Sequence, residues 1–121
     1  MQVGYVVLYV NDPQSCVDFW TSRVGMAEKG RKQAGNLDIV KVGFVDQDFA
    51  FELVPLELMK DNPAGLDLAA PSIAFYVSDL AATRDRLVAN GVQATEVGQH
   101  SGVASFAFCD NEGRWFAVTL S

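Results

Sequence analysis

One histidine and two cysteines are all the imidazole and thiol side chains that 121 residues offer. The cysteines, Cys16 and Cys109, are too few for a disulfide framework. Neither stands near a second cysteine or a histidine at metal-site spacing, so both read as inert thiols in a core. Basic residues are also scarce, nine Lys and Arg against fifteen Asp and Glu, for a net charge of −6. Nucleic acids and acidic membranes need a basic footprint, so neither is an expected partner. No apolar run reaches the roughly 18 residues that span a bilayer, and none follows a basic start as in a secretory leader. A cytoplasmic protein without a membrane partner is the expectation.

What the chain does have is a repeat. Tyr5 to Asp12 (YVVLYVND) aligns with Ser72 to Asp79 (SIAFYVSD), and each run leads through a helical stretch to a glycine, Gly25 or Gly91. Half the residues are hydrophobic, enough for one packed domain of this length. Val3 to Val10 is β-branched and aromatic and reads as a strand. Asn11–Asp12–Pro13 ends it and caps a helix that carries Cys16, Val17, Phe19 and Trp20 on one apolar side. Strands follow over about 26–33, 37–45 and 49–55, with Gly35–Asn36 as a hairpin turn. Residues 56–70 read as a linker, with room for a helical turn near 56–61. The second half repeats the order. A strand spans 72–77, and Asp79 starts a helix that buries Leu80, Leu87 and Val88. A strand at 92–97 precedes a polar loop at 98–102. Strands at 103–109 and 114–120 then turn at Asp110–Asn111–Glu112–Gly113. The chain is thus one α+β domain of two βαβββ modules, module one about 1–60 and module two about 70–121. The expected architecture is a curved mixed sheet around a cavity with the helices outside.

Alternation gives each strand two faces. Val6, Leu8 and Val10 form an aliphatic set for the helix side, as do Ile73, Phe75 and Val77. The other face carries Tyr5, Val7 and Tyr9; Ala50, Glu52 and Val54; Ser72, Ala74 and Tyr76; and Trp115, Ala117 and Thr119. Rings, small residues and one carboxylate are what lines a ligand cavity. Tyr and Trp also suit any half-buried pleated surface. Glu52 either faces such a cavity or pairs across strands with Lys41. A carboxylate desolvated in a cavity favours a cationic or hydrogen-bond-donating ligand. His100 is either a solvated loop residue or borders the mouth of the pocket.

The order of elements resembles the vicinal oxygen chelate superfamily, which includes glyoxalase I, extradiol dioxygenases and bleomycin-resistance proteins. The resemblance rests on Leu8–Tyr9–Val10–Asn11–Asp12, Asp18–Phe19–Trp20 before Gly25, Phe75–Tyr76–Val77–Ser78–Asp79–Leu80 and Phe108–Cys109–Asp110–Asn111–Glu112–Gly113. The family's enzymes hold a divalent metal at four equivalent positions, two per module, filled by His, Gln or Glu. Here the resemblance places those positions on Tyr5, Glu52, Ser72 and Ala117. Only Glu52 is a good ligand, and Zn, Fe, Ni or Mn want three or more protein donors. No metal and no other cofactor is therefore expected, and no catalytic residue is assigned.

Metal-free members resemble drug-sequestering bleomycin-resistance proteins, which work as homodimers. The implied function is binding of a small aromatic or cationic molecule, with antibiotic sequestration as the leading form. The ligand-binding set is Tyr5, Tyr9, Glu52, Ser72, Tyr76, His100 and Trp115. Bleomycin-resistance proteins carry Pro–Trp–Gly after the sixth strand, where this chain has His100–Ser101–Gly102. The missing tryptophan points to a flat ligand other than bleomycin. The alternative is a glyoxalase- or dioxygenase-like enzyme with an atypical or metal-independent site that uses Glu52 or His100.

Overall fold

Two aspartates start the two α-helices in the same way. Asp12 is extended and its carboxylate accepts from the backbone N–H of Gln14 and Ser15, at 3.1 and 3.3 Å. Asp79 is extended too, and its carboxylate accepts from Ala82 N–H at 3.0 Å. Each satisfies backbone donors that a helix start leaves without a partner. The computed structural model describes residues 1–100 and 102–121, the side chain of His100 excepted.

The chain divides into two compact units, Met1–Ala70 and Pro71–Ser121. In the first, strands β1 (Val6–Val10), β2 (Ala27–Ala34), β3 (Leu37–Gly43) and β4 (Phe51–Pro55) form a sheet in the order β1-β4-β3-β2. In the second, β5 (Ala74–Val77), β6 (Gln93–Ala94), β8 (Val103–Cys109) and β9 (Trp115–Leu120) follow the matching order β5-β9-β8-β6, and β7 (Gly98–His100) also pairs with β8. In each sheet the first strand runs parallel to the last, β1 with β4 and β5 with β9, while the other pairs are antiparallel. The fold is α+β with mixed sheets. No helix among the described residues is long and apolar enough to cross a membrane.

Helix α1 (Pro13–Asp18) packs on β3 and β4 and continues as a π-helical turn over Phe19–Val24. Gly25, at φ 100°, closes that turn, with its N–H and that of Met26 both donating to the carbonyl of Trp20. A left-handed residue there requires no Cβ, which is why glycine ends this segment. The wider turn brings Phe19, Trp20 and Val24 inward with Cys16 and Val17. Trp20 meets Phe19 and Phe51 edge-on, at 5.2 and 5.1 Å between centroids, and Leu8, Val10, Val40 and Leu53 are buried in the same unit. In the second unit α2 (Leu80–Ala89) covers Phe106, Phe108, Phe116 and Val118, with Phe108 stacked on Phe116 at 5.6 Å.

Several expectations need correction. Residues 92–97 hold only the two-residue β6, and part of the expected loop at 98–102 is β7, which pairs Gly98 with Ser105 and Gln99 with Ala104. Strand β8 is long enough to carry both partners in succession, and Gly102 at φ 78° turns the chain between β7 and β8. Val88 is exposed, because it stands one position past buried Leu87 and so a quarter-turn around α2. Strand β3 ends at Gly43 rather than at 45, where a turn closes with Gln47 N–H donating to Phe44 O.

Candidate functional site

The hairpin between β2 and β3 sets the geometry of the first unit's site. Gly35, at φ 66°, occupies the first central position of a two-residue turn, as type II′ requires. That turn fixes the register, with Ala34 opposite Leu37, Lys32 opposite Ile39, Arg31 opposite Val40 and Gly30 opposite Lys41. Lys41 in turn stands opposite Glu52, and Glu52 opposite Val7. Residues directly opposite share a face, so Gly30, Lys32, Ile39, Lys41, Glu52 and Val7 lie on one side of the sheet. Arg31, Val40, Leu53 and Leu8 lie on the other, under α1.

The Glu52 carboxylate, 8 % exposed, lies between two ammonium groups, Lys32 Nζ at 3.9 Å and Lys41 Nζ at 4.0 Å from the same oxygen, Oε2. Both distances exceed the 2.7–2.9 Å typical of a committed charge-assisted hydrogen bond. Lys41 Nζ also lies 4.1 Å from the centre of the Tyr5 ring, a cation–π contact. Gly30, Arg31, Lys32, Ile39, Lys41 and Glu52 line a cavity of about 160 Å³. At Gly30 a Cβ would meet nothing within 4 Å, so the missing side chain leaves that wall open. Cavities of roughly 150 Å³ accept a benzene ring, whereas whole drug-sized ligands take about 300–1,000 Å³. The cavity is the size of one ring or one polar head, not of an entire drug.

On the other side of the sheet one guanidinium serves two carboxylates. Arg31 donates to Glu28 at 2.7 and 3.1 Å and to Asp38 at 2.9 Å, and reaches Gln14 of α1 at 3.5 Å. The hydrogen bond from Arg31 holds the Glu28 carboxyl below its ordinary range, and the same contacts raise the Arg31 guanidinium.

The second unit has a cavity of about 360 Å³ lined by Thr95, Glu96, Gly98, Ser105, Phe106, Ala107 and Ala117. Its one ionisable lining residue, Glu96, is 90 % exposed and paired with Arg84 at 3.2 Å. At the β8–β9 turn, buried Asp110 accepts from the N–H of Glu112 and of Arg114, both at 2.9 Å, and from the Arg114 guanidinium at 3.0 Å. Arg114 also donates to Glu112 at 3.0 Å. This network closes the turn and faces neither cavity wall. Burial, with the Asp110 charge beside it, pushes the neighbouring Cys109 thiol up. Cys16 is buried and Cys109 partly so, and neither is in a disulfide.

Of the sequence-derived residues, Tyr5 and Glu52 come together through Lys41. Tyr9 is partly buried on the same strand face as Tyr5, opposite Val54. In the second unit Ser72 and Tyr76 are exposed, Tyr76 stands opposite Thr119, and half-exposed Trp115 stands opposite Cys109. The backbone of His100 ends β7, and its side chain and Ser101 lie outside the described residues. Sequence reasoning missed Lys32, Gly30 and Ile39. The two-residue turn at Gly35–Asn36 was the signal that could have found them, because it fixes which β2 residue faces Lys41.

A divalent metal does not fit the residues present. A cation at Glu52 would enter beside two ammonium groups within 4.0 Å of the carboxylate. Ala117 offers no donor, and among the described residues no three His, Cys, Asp or Glu side chains converge.

Comparison with known proteins agrees with this fold. The chain belongs to the Glyoxalase/Bleomycin resistance protein/Dioxygenase superfamily, whose model matches residues 2–118. It is 27 % identical over 119 residues to the uncharacterised protein YetH of Bacillus subtilis (strain 168), covering 97 % of this chain and 96 % of that one. Among solved structures, it is similar to a superfamily member from Sphaerobacter thermophilus DSM 20745, with TM-score 0.83 and 19 % identity over 100 % of this chain and 98 % of that one. It is also similar to TnmS3, an antibiotic binding protein from Streptomyces sp. CB03234, with TM-score 0.79 and 17 % identity over 99 % and 95 % of the two chains. At these identities the structures speak for the fold.

Proposed function

We propose that this chain is a metal-free binding protein for small aromatic molecules, acting by sequestration as an antibiotic-binding protein does. The observation that carries the reading is the site around Glu52. Where the family's enzymes need a metal ligand, this chain has a carboxylate held between Lys32 and Lys41, beside a tyrosine ring and an open cavity. Such a face supplies orientation and apolar contact, the two requirements of a small-molecule site. The likeness to TnmS3 supports the same reading. Stacking on one ring adds only about 0.5–1.5 kcal/mol, and micromolar affinity needs about 8 kcal/mol. Most of the affinity must therefore come from apolar area buried beyond the cavity. Separately, the second unit exposes Tyr76, Trp115 and Val103. These exposed side chains support a homodimer as the working form, and two cysteines outside any disulfide suit a reducing cytoplasm.

Calorimetric titration with a panel of aromatic and cationic natural products tests the reading. At least one polycyclic compound is expected to bind with a Kd near or below about 10 µM, and Tyr5→Ala should weaken it severalfold. Turnover of any bound compound, or a panel without a single binder, would overturn the proposal. Sedimentation equilibrium gives the oligomeric state directly.

A further inference from the structure

We infer that the cavity of the first unit seats an acidic group, so that the ligand is an aromatic acid rather than a cation. The inference rests on the small-molecule reading above and names the ligand class of that site. A cationic ligand would follow from an uncompensated carboxylate at Glu52. The structure compensates it twice, with Lys32 and Lys41 converging on one oxygen. Two ammonium groups to one carboxylate leave this face with a positive charge in excess.

The neighbouring acids do not cancel that excess at the cavity. Glu28 and Asp38 bind Arg31, whose strand partner Val40 lies on the helix side of the sheet, and Arg31 also reaches Gln14 of α1. The sheet thus separates two charge clusters, one with two carboxylates to one guanidinium and one with two ammonium groups to one carboxylate. Lys32 and Lys41 are 65 % and 38 % exposed at the side chain and sit beyond hydrogen-bond length from Glu52. Both can donate to a second oxyanion without leaving the first. Glu52 acts as a positioning residue here, because it draws both ammonium groups together beside the gap at Gly30, the strand partner of Lys41. The overall charge of −6 disfavours anions at long range. Within a Debye length of about 8–10 Å the local pair outweighs that diffuse field.

Three matched probes test the inference by calorimetry: 2-naphthoate, 2-naphthamide and 2-naphthylmethylamine. Expected is naphthoate binding about tenfold tighter than the amide, with the amine weakest, and a preference that shrinks as salt rises. Lys32→Met should cost naphthoate several times more affinity than it costs the amide, so that the preference for the acid is lost. Gly30→Val, which fills the open wall, should weaken all three severalfold. Amide or amine binding as tightly as naphthoate would overturn the acidic-ligand inference and leave the binding function standing. A naphthoate preference that survives Lys32→Met would also overturn it. Binding of none of the three would overturn the aromatic-binding reading itself, and this inference with it.

Discussion

The ammonium of Lys41 lies 4.1 Å from the centre of the Tyr5 ring. That contact joins the residue just before β1 to β3 across the intervening β4, where Glu52 receives the same ammonium at 4.0 Å. One side chain thus ties together the ring and the carboxylate that alternation alone had placed on a common face.

The two halves of this charge cluster respond unequally to substitution. Lys41→Met leaves the buried Glu52 carboxylate with only the more exposed Lys32. It is expected to lose about 1–3 kcal/mol, the usual penalty for a polar group stripped of a partner. Glu52→Gln leaves two lysines that can turn to water and should lose about 1 kcal/mol or less. Urea denaturation of both variants checks the order, and equal losses would contradict it.

Two glycines of the first unit should behave in opposite ways. At Gly43 a Cβ would collide with the backbone carbonyl of Phe49, whereas at Gly30 it would meet nothing within 4 Å. Gly43→Ala is expected to destabilise by about 1–3 kcal/mol, as overpacking does. Gly30→Ala should be neutral or stabilise by about 0.5–1 kcal/mol, because glycine loses more freedom in a strand. Thermal melts of the pair decide it.

Asp110 is the anchor of the last hairpin. Its carboxylate accepts three hydrogen bonds and is fully buried. Asp110→Asn exchanges the ion pair with Arg114 for a neutral contact and turns one acceptor into a donor. A loss of about 3 kcal/mol is expected, in line with breaking other buried pairs. Equilibrium unfolding measures it, and a loss below about 1 kcal/mol would mean that the turn holds without the pair.

Divalent metals should leave the protein unmoved. At about 1 mM metal, a site with a Kd of about 10 µM would add about 2.7 kcal/mol, enough to move a melt by several degrees. Melting curves with Ni, Mn, Zn or Fe(II) are expected to overlay the metal-free curve. A shift with any of them would contradict the metal-free reading.

Much of the fold is legible in the residues themselves. The repeat of YVVLYVND as SIAFYVSD implies the strand and helix order, and Asp12 and Asp79 cap their helices as their sequence context requires. The aliphatic sets led by Leu8 and Val10 go to the helix side because a pleated strand must alternate. Less legible is the stretch 92–102. Its polar residues carry little periodicity, and its short strands exist because β8 offers a long edge to pair with. The π-helical turn at Phe19–Val24 is equally hidden, since one extra residue per turn leaves no mark in an already apolar run.

For the site, the residue types are set by the sequence alone: one carboxylate at 52, a ring at 5, and no donor set for a metal. Its charge is set by tertiary structure. Lys32 and Glu52 are twenty positions apart, and only the pairing of β2 with β3 and of β3 with β4 brings them within 3.9 Å. Local pattern fixes the face on which a side chain lies, because alternation is a property of one strand. Which charges neutralise one another depends on strand register, and register is set by how separate strands meet.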